Sequence, residues 1–533
     1  MKKSKSQIKW LVLLFAFSMF GNGIDAASSE EAPSAWVSPG SNGKLIYKTT
    51  PAGDKIMDFS HAGYMGGGVA LPNVPVKQTV QPSGKDDTAR IQAAIDAVSA
   101  LPVKDGFRGT VLLAPGTFTC SGTIKIAASG VVLRGSGSGA DKGKKSTIML
   151  TGKPHNAIAV SGKGEAVDAK GFKEIKTIIA DKYVPSGAVM FTVADAKGFA
   201  VGDVIAIKKQ VTENWVKFMG MHDLVRDGKK QTWIAVGKML TTERYIAAIA
   251  GNKITLDVPL SDSFDAQFAG ATGTAVVKIK TPARVSQVGI EYLHIESPPQ
   301  AIPHTQPHYT AIRMTGQDCW VRDVVIEETM NSVAFGGCRI TAERVAVNRK
   351  ALHVGSSRPA EFAPNGGQIL LDRCTSNAEN VWFMATGSGH AGPNVLLNCT
   401  FIGDGRAEAH QRWSTGLLYD NCNVPRGGID FRNRGEMGSG HGWPMGWGVA
   451  WNCVAKDYTV QSPPGAVNWI IGCTGQTKQA PRPFGKGPNL PEGAKDSHGA
   501  AVTPQSLYLS QLAERLGPQA LKNIGYGVEG NAK

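Results

Sequence analysis

The sequence predicts an all-β protein built as a solenoid of stacked turns, opened by one helix and interrupted by an inserted β-subdomain. Three observations predict it. The runs GTVLLAPGTFTC (109–120), GTIKIAASGVVLRGSG (122–137) and STIMLTG (146–152) alternate apolar strand formers with Gly, Ser and Pro, the rhythm of short strands and turns. The rhythm resumes at 284 through segments such as CWVRDVVIEE (319–328), QILLDRCTS (368–376) and TGLLYDNCNV (415–424). A phrase of apolar residues ending in Cys also returns. Cys374, Cys399, Cys422, Cys453 and Cys473 follow one another at 25, 23, 31 and 20 residues, and Asn398, Asn421 and Asn452 share the slot before Cys. A return at such intervals marks a repeat architecture, and the Asn residues read as structural turn positions.

Taken in order, the chain begins with Lys2, Lys3, Lys5 and Lys9 ahead of the apolar run 10–20, with small residues at Ala26 and Ala27. Residues 1–27 thus read as a secretory signal, too short in its apolar part to span a bilayer comfortably. The expectation is a secreted or periplasmic, monomeric protein without a membrane anchor. Residues 28–83, rich in Gly and Pro, form an irregular arm. In 84–102, Asp86 or Asp87 can cap a helix whose stripe is Ile91, Ala94, Ile95 and Val98, stopped by Pro102; this helix and the first turns occupy 84–159. Longer strands with hairpin turns, one at Gly251-Asn252, define an inserted antiparallel β-subdomain over 160–283. Within it, 214–224 reads as packing of the insert or as a lid. The main turns run over 284–475. Residues 476–533 hold a Pro/Gly/Lys-rich loop and a helix whose Leu507, Leu509, Leu512 and Leu516 close the C-terminal end.

Eight cysteines would permit disulfides after export, but their periodicity favours a column of free, core-facing thiols packing as small hydrophobes. The net charge of +14 draws polyanions. No Lys/Arg-rich run or nucleic-acid module appears, so no nucleic acid is expected. An acidic polysaccharide fits both charge and export; a basic solvated surface without such a ligand is the alternative.

The order of cap helix, V-L-L-A-P-G-T-F and then G-V-V-L-R-G-S-G resembles the opening of right-handed parallel β-helix proteins of the pectate-lyase-like superfamily. In that family the helix plugs the end of the solenoid, where apolar core and unpaired strand edges would otherwise be exposed. The resemblance is specific over 84–137 and general over 284–475, and it does not cover the insert. It implies a right-handed parallel β-helix acting on polysaccharides, often uronate-containing ones. The family's calcium-binding Asp residues have no counterparts in this chain.

Side chains of a strand alternate between its two faces. His410 and Arg412 therefore share a face, as do Asp430, Arg432 and Arg434. Unpaired Arg is rarely buried, so these faces point outward. His441 and Trp443 lie on the Gly-rich segment 438–443, and Asn468 and Trp469 one turn later. Exposed Trp beside cations and Asn suits a sugar groove, with rings for apolar sugar faces and Arg for carboxylates. Upstream stand His304, His308, Arg349, Lys350, His353, Arg358 and His390; seven of the eleven histidines fall between 294 and 441.

Three functions compete. A β-eliminating polysaccharide lyase needs a neutralised uronate carboxylate, a base and an acid. The candidates are His410 as base, Tyr419 or His441 as acid, and Arg412, Arg432 or Arg434 as neutraliser. Trp443, Asn468, Trp469, His353, His390 and Lys350 are the candidate substrate-binding residues. No cofactor is required; Ca2+ could neutralise the carboxylate instead, but Asp404, Glu408, Asp420 and Asp430 are too scattered in sequence to form its oxygen cage. A glycoside hydrolase needs two opposed carboxylates. Gly440-His441-Gly442 matches one motif of the polygalacturonase branch, but its other elements are missing. A non-catalytic binding or adhesion solenoid would use the Trp and Arg without needing the histidines. No zinc helix motif, P-loop or nucleophile-elbow motif is present.

Overall fold

The computed structural model describes residues 32–527, except 140, 142, 165–171 and 486. The segment read as a signal, 1–27, lies outside the described residues. Among these residues, helix is confined to α1 (Thr88–Ser99), α2 (Glu213–Phe218), α3 (Leu507–Leu516), α4 (Pro518–Asn523) and two short 3-10 turns; the rest of the regular structure is β. None of the described helices is long and apolar enough to cross a membrane.

Most strands join one 25-stranded sheet in which successive turns pair in parallel. The chain visits three ladders in rotation. The first carries Gly109–Leu113, Val131–Gly135, Gly289–Glu291 and later Ser414–Asp420, Val449–Trp451 and Trp469–Ile471. The second carries Gly116–Cys120, Ser146–Leu150, His294–Glu296 and later Thr375–Asn377 and Thr400–Ile402. The third carries Ile124–Ile126, Asn156–Val160 and later Trp382–Ala385 and Arg406–Glu408. Inward residues of all three form one continuous core from Val111 to Cys473.

The recurring Cys phrase marks the corner between the first and second ladders. Asn398, Asn421 and Asn452 adopt φ of 50°, 52° and 48°, a left-handed conformation that Asn tolerates better than most residues. The next residue then turns inward. All eight cysteines are free, and the thiols of Cys399, Cys422 and Cys453 donate to the carbonyls of Leu371, Leu396 and Tyr419 at 3.4 Å. Each corner is thus tied to the preceding turn.

Helix α1 buries Ile91, Ile95 and Val98 on the first turns. Asp87 stands at its N-cap, but the cap bond comes from Asp86, whose carboxylate accepts from Thr88 N at 2.9 Å. Gln92 closes the open strand edge, accepting from Lys125 N and donating to Lys125 O. Residues 176–279 contain a separate six-stranded sheet in which Val204–Gln210 pairs antiparallel with Met239–Ala250 and Ala275–Ile279. Helix α2 brings Trp215 against Trp233 and Trp413, at 5.0 and 5.4 Å between ring centroids, so 214–224 packs as core rather than as a free lid.

The outward side of the first ladder is a second core. Leu370, Val395, Leu418, Val449 and Trp469 stack in one column, covered by Val37, Ile56 and Phe59 of the arm and by Leu507, Tyr508 and Leu512 of α3. Helix α3 therefore lies along the flank and not over the C-terminal end. Its N-terminus is anchored by Asp420, which accepts from Tyr508 N at 2.7 Å and from Ser506 Oγ at 2.8 Å.

Candidate functional site

On the third ladder the strands Trp382–Ala385, Arg406–Glu408, Asn423–Phe431 and Val454–Val460 stack in register. Met384, Ala407, Ile429 and Tyr458 point into the core. The outward residues form two columns, Trp382–Arg406–Gly428–Asp457 and Ala385–Glu408–Asp430–Thr459. The absence of a side chain at Gly428 makes room for Arg406, since an added Cβ would stand 2.3 Å from its guanidinium and displace it. Arg406 crosses that gap, binding Asp430 and reaching Asp457 at 2.7 Å.

Glu408 is fully buried at the centre of the cluster. It meets Arg434 Nη1, Arg432 Nε at 3.2 Å and His410 Nδ1 at 3.3 Å. A buried carboxylate requires such partners. Burial and neighbouring Arg358 push the Arg434 guanidinium down to about 9, so it remains charged beside Glu408 at neutral pH. The rings of Trp382 and His410 lie 5.2 Å apart, and Arg434 and Arg358 approach Trp382 at 5.0 and 5.3 Å.

Burial, reinforced by Arg432, pushes His410 down to about 4. Burial followed by His410, Arg434 and Arg412 pushes His441 down to about 3. The two rings, 4.9 Å apart, are both neutral at pH 7. Opposing neighbours act on the His410 tautomer. Arg434 Nη1, 3.0 Å from Nδ1, can only donate and favours a lone pair there. Glu408 Oε1 can only accept and favours a proton there, which leaves the Nε2 lone pair for another partner.

His410 lines a cavity of about 260 Å³ together with His304, Arg313, Asn331, Arg358 and Trp382. Asn365 connects it to a second cavity of about 280 Å³ that includes His390, Arg284 and Arg339. The two cavities thus adjoin.

The sequence-predicted residues divide. His410, Arg432, Arg434 and His441 come together. Arg412 adjoins them through its backbone N on His441 O at 3.2 Å, but its guanidinium pins Ser439, so it fixes the 435–442 segment. His390 belongs to the adjoining cavity. His353 is buried, with its ring nitrogens engaged by Ser357 O and Asn380. Lys350 is exposed on a turn whose backbone is held by Glu328, apart from both cavity linings.

Four expectations are corrected. Tyr419 points inward, fully buried between Leu396 and Ala450 in its column, out of reach of a substrate. Trp443 is buried and donates to Met219 O at 3.0 Å. Trp469 is buried under the arm against Trp36. Asn468 is a buried bracket bound to Gly448 N, Met445 O and Gln461 O. These residues lie on or beside the first ladder, where apolar cover replaces solvent.

Glu408 and Asp430, scattered in sequence, are register partners on adjacent strands. The Cys repeat carried the signal, since the two residues fall at nearly equal distances past Cys399 and Cys422. Both are committed to Arg, which leaves no open oxygen cage between them. Trp382 and Arg313 carried no repeat signal of this kind.

No family model matches the chain, and no curated protein matches it. Among solved structures, the tailspike gp49 of Pseudomonas phage LKA1 aligns at 16% identity over 73% of this chain and 56% of that one, with a TM-score of 0.40. The Gp54 tailspike of Acinetobacter baumannii bacteriophage AP22, solved with capsular saccharide, aligns at 11% identity over 74% and 61%, with a TM-score of 0.36. A mannuronan C-5 epimerase module of Azotobacter vinelandii aligns at 10% identity over 79% and 75%, with a TM-score of 0.23. The chain thus spans less than two thirds of either tailspike. The functional reading rests on the chain's own residues.

Proposed function

We propose that this protein is an exported, monomeric polysaccharide lyase of pectate-lyase-like type, built on a right-handed parallel β-helix and cleaving a uronate-containing polysaccharide by β-elimination. The observation that carries the reading is a neutral His410 at a cavity that also holds the cations Arg313 and Arg358, while the nearby carboxylates are tied up by Arg. Arg358 and Arg313 meet the uronate carboxylate and stabilise the charge that develops when the adjacent carbon loses its proton. In the tautomer that Glu408 favours, with the proton on Nδ1, His410 takes the substrate's proton through Nε2. The electron pair forms the carbon–carbon double bond, the bond to the leaving oxygen breaks, and water returns a proton to that oxygen; His441, neutral at pH 7, is too weak an acid to do so. A hydrolase is disfavoured because Glu408 and Asp430 are both tied to Arg and lie on adjacent strands of one face, so they do not oppose each other across a scissile bond.

A panel of pectate, alginate, glucuronan, chondroitin and hyaluronan tests the proposal. One member should yield products with the ultraviolet absorbance of an unsaturated uronate. Reducing ends without that absorbance would favour hydrolysis, and binding without cleavage would favour an adhesin.

A further inference from the structure

A second cluster lies on the outward side of the second ladder. His294 and Glu296 occupy one strand, and Glu327 on the following turn is the register partner of Glu296. Ile295 between them points into the core. The His294 side chain is only 1% exposed, and its Nε2 has no hydrogen-bond partner. That atom is 3.4 Å from Glu327 Oε2; Nδ1 is 3.9 Å from Glu296 Oε2 and 3.4 Å from Thr147 Oγ1.

Two features of the cluster are unfavourable as they stand. Glu291, Asp318, Asp323, Glu408, Asp430 and Asp457 each meet an Arg. Glu296 and Glu327 make no Lys or Arg ion pair among the described residues, although they stack as like charges on adjacent strands, an unfavourable arrangement. An unpartnered buried nitrogen is also costly. One cation between the three residues would relieve both. One donor atom from each residue lies within 4.8 Å of the others, and N and O ligands about 2.1 Å from a tetrahedral ion stand roughly 3.4 Å apart.

We infer that His294, Glu296 and Glu327 form a binding site for a borderline divalent cation of the zinc type, clamping two successive turns. Imidazole with two carboxylates suits Zn2+ better than the all-oxygen preference of Ca2+. The carboxylates are 36% and 41% exposed, so the ion enters from solvent and keeps a position for water. This site is separate from the His410 cavity and does not depend on the lyase reading.

The test is calorimetric titration of the chelator-stripped full chain with ZnCl2. One ion per chain is expected, and Glu296→Gln and Glu327→Gln should each weaken binding about tenfold or more. Both substitutions keep side-chain size at half-exposed positions, and circular dichroism verifies the fold. Zinc should raise the thermal midpoint of the wild type but not of Glu327→Gln at the same concentration. The site is refuted if the wild type takes up no zinc, or if both Gln variants bind it as the wild type does. A His410→Ala chain should keep its zinc; loss there would move the ion to the other histidine cluster and also overturn the assignment.

Discussion

On the first ladder, successive turns present Leu370, Val395, Leu418, Val449 and Trp469 outward. On the third, the same stretch of turns presents Trp382, Arg406, Glu408 and Asp430. Strand geometry and stacking are alike, yet the first face lies beneath the arm and α3, while the third borders two cavities. The outward half of a stacked strand is therefore not surface by default. Apolar outward residues recruit cover and become a second core. Charged ones pair with one another instead, at the edge of the cavities and around the half-covered ring of His410.

Substitutions that exchange the expected behaviour of the two faces would break this comparison. Trp469→Ala, on the covered face, should cost about 3–5 kcal/mol of stability and leave kcat of the folded fraction unchanged; denaturant unfolding alongside turnover decides, and a KM defect at native stability would return Trp469 to the substrate. On the open face, His410→Ala should lower kcat about 100- to 10,000-fold with a thermal midpoint near the wild type, whereas unfolding of the variant would make it a scaffold residue. Arg358→Ala should lower kcat/KM about 10- to 100-fold through one lost charged hydrogen bond, read from initial rates on the substrate that the panel identifies.

The smallest effect concerns pH, and its sign differs between the faces. Burial raises Asp420, under α3, to about 7, so its stabilising contribution is full in acid and fades as pH rises through about 7. The thermal midpoint of Asp420→Asn should therefore gain on the wild type between pH 5 and pH 8. His410 is shifted the other way, to about 4. Its contribution is full above the ordinary value of 6.5 and fades as pH falls toward about 4, where activity should fall as well.

The turns were legible in the sequence because strand rhythm and the Asn–Cys corner are local signals, each set by a few neighbouring residues. That His410, Arg432, Arg434 and His441 come together was legible because non-repeating His and Arg return between successive corners. That Arg432 and Arg434 are bound to Glu408, and so do not stand free as neutralisers, was not. Trp469 and Trp443 were misread because composition does not tell an exposed ring from one covered by distant chain, the arm over Trp469 and the insert over Trp443. Asn468 was misread because its bonds to Gly448, Met445 and Gln461 need the fold. Tyr419 was misread for a different reason. In LLYDNC it lies three residues before Cys422, and the sequence alone does not show how the bend at Asn421 shifts the inward–outward alternation. The Glu408–Asp430 pairing needed the register, which the Cys repeat encodes only approximately.

The column of Cys399, Cys422, Cys453 and Cys473 has a kinetic consequence. Burial holds each thiol well above its ordinary value, so in the native state none offers a thiolate. Once the turns open, all eight meet water and one another, and any disulfide that forms joins corners that the native stack keeps as free thiols. Unfolding in an oxidising medium then becomes a one-way step, and lifetime is set by the rate of opening rather than by an equilibrium. Heating and cooling cycles should be reversible with a reductant present and irreversible without one. In a chain with all eight cysteines replaced by Ala, that dependence on reductant should vanish, at the cost of a less stable core.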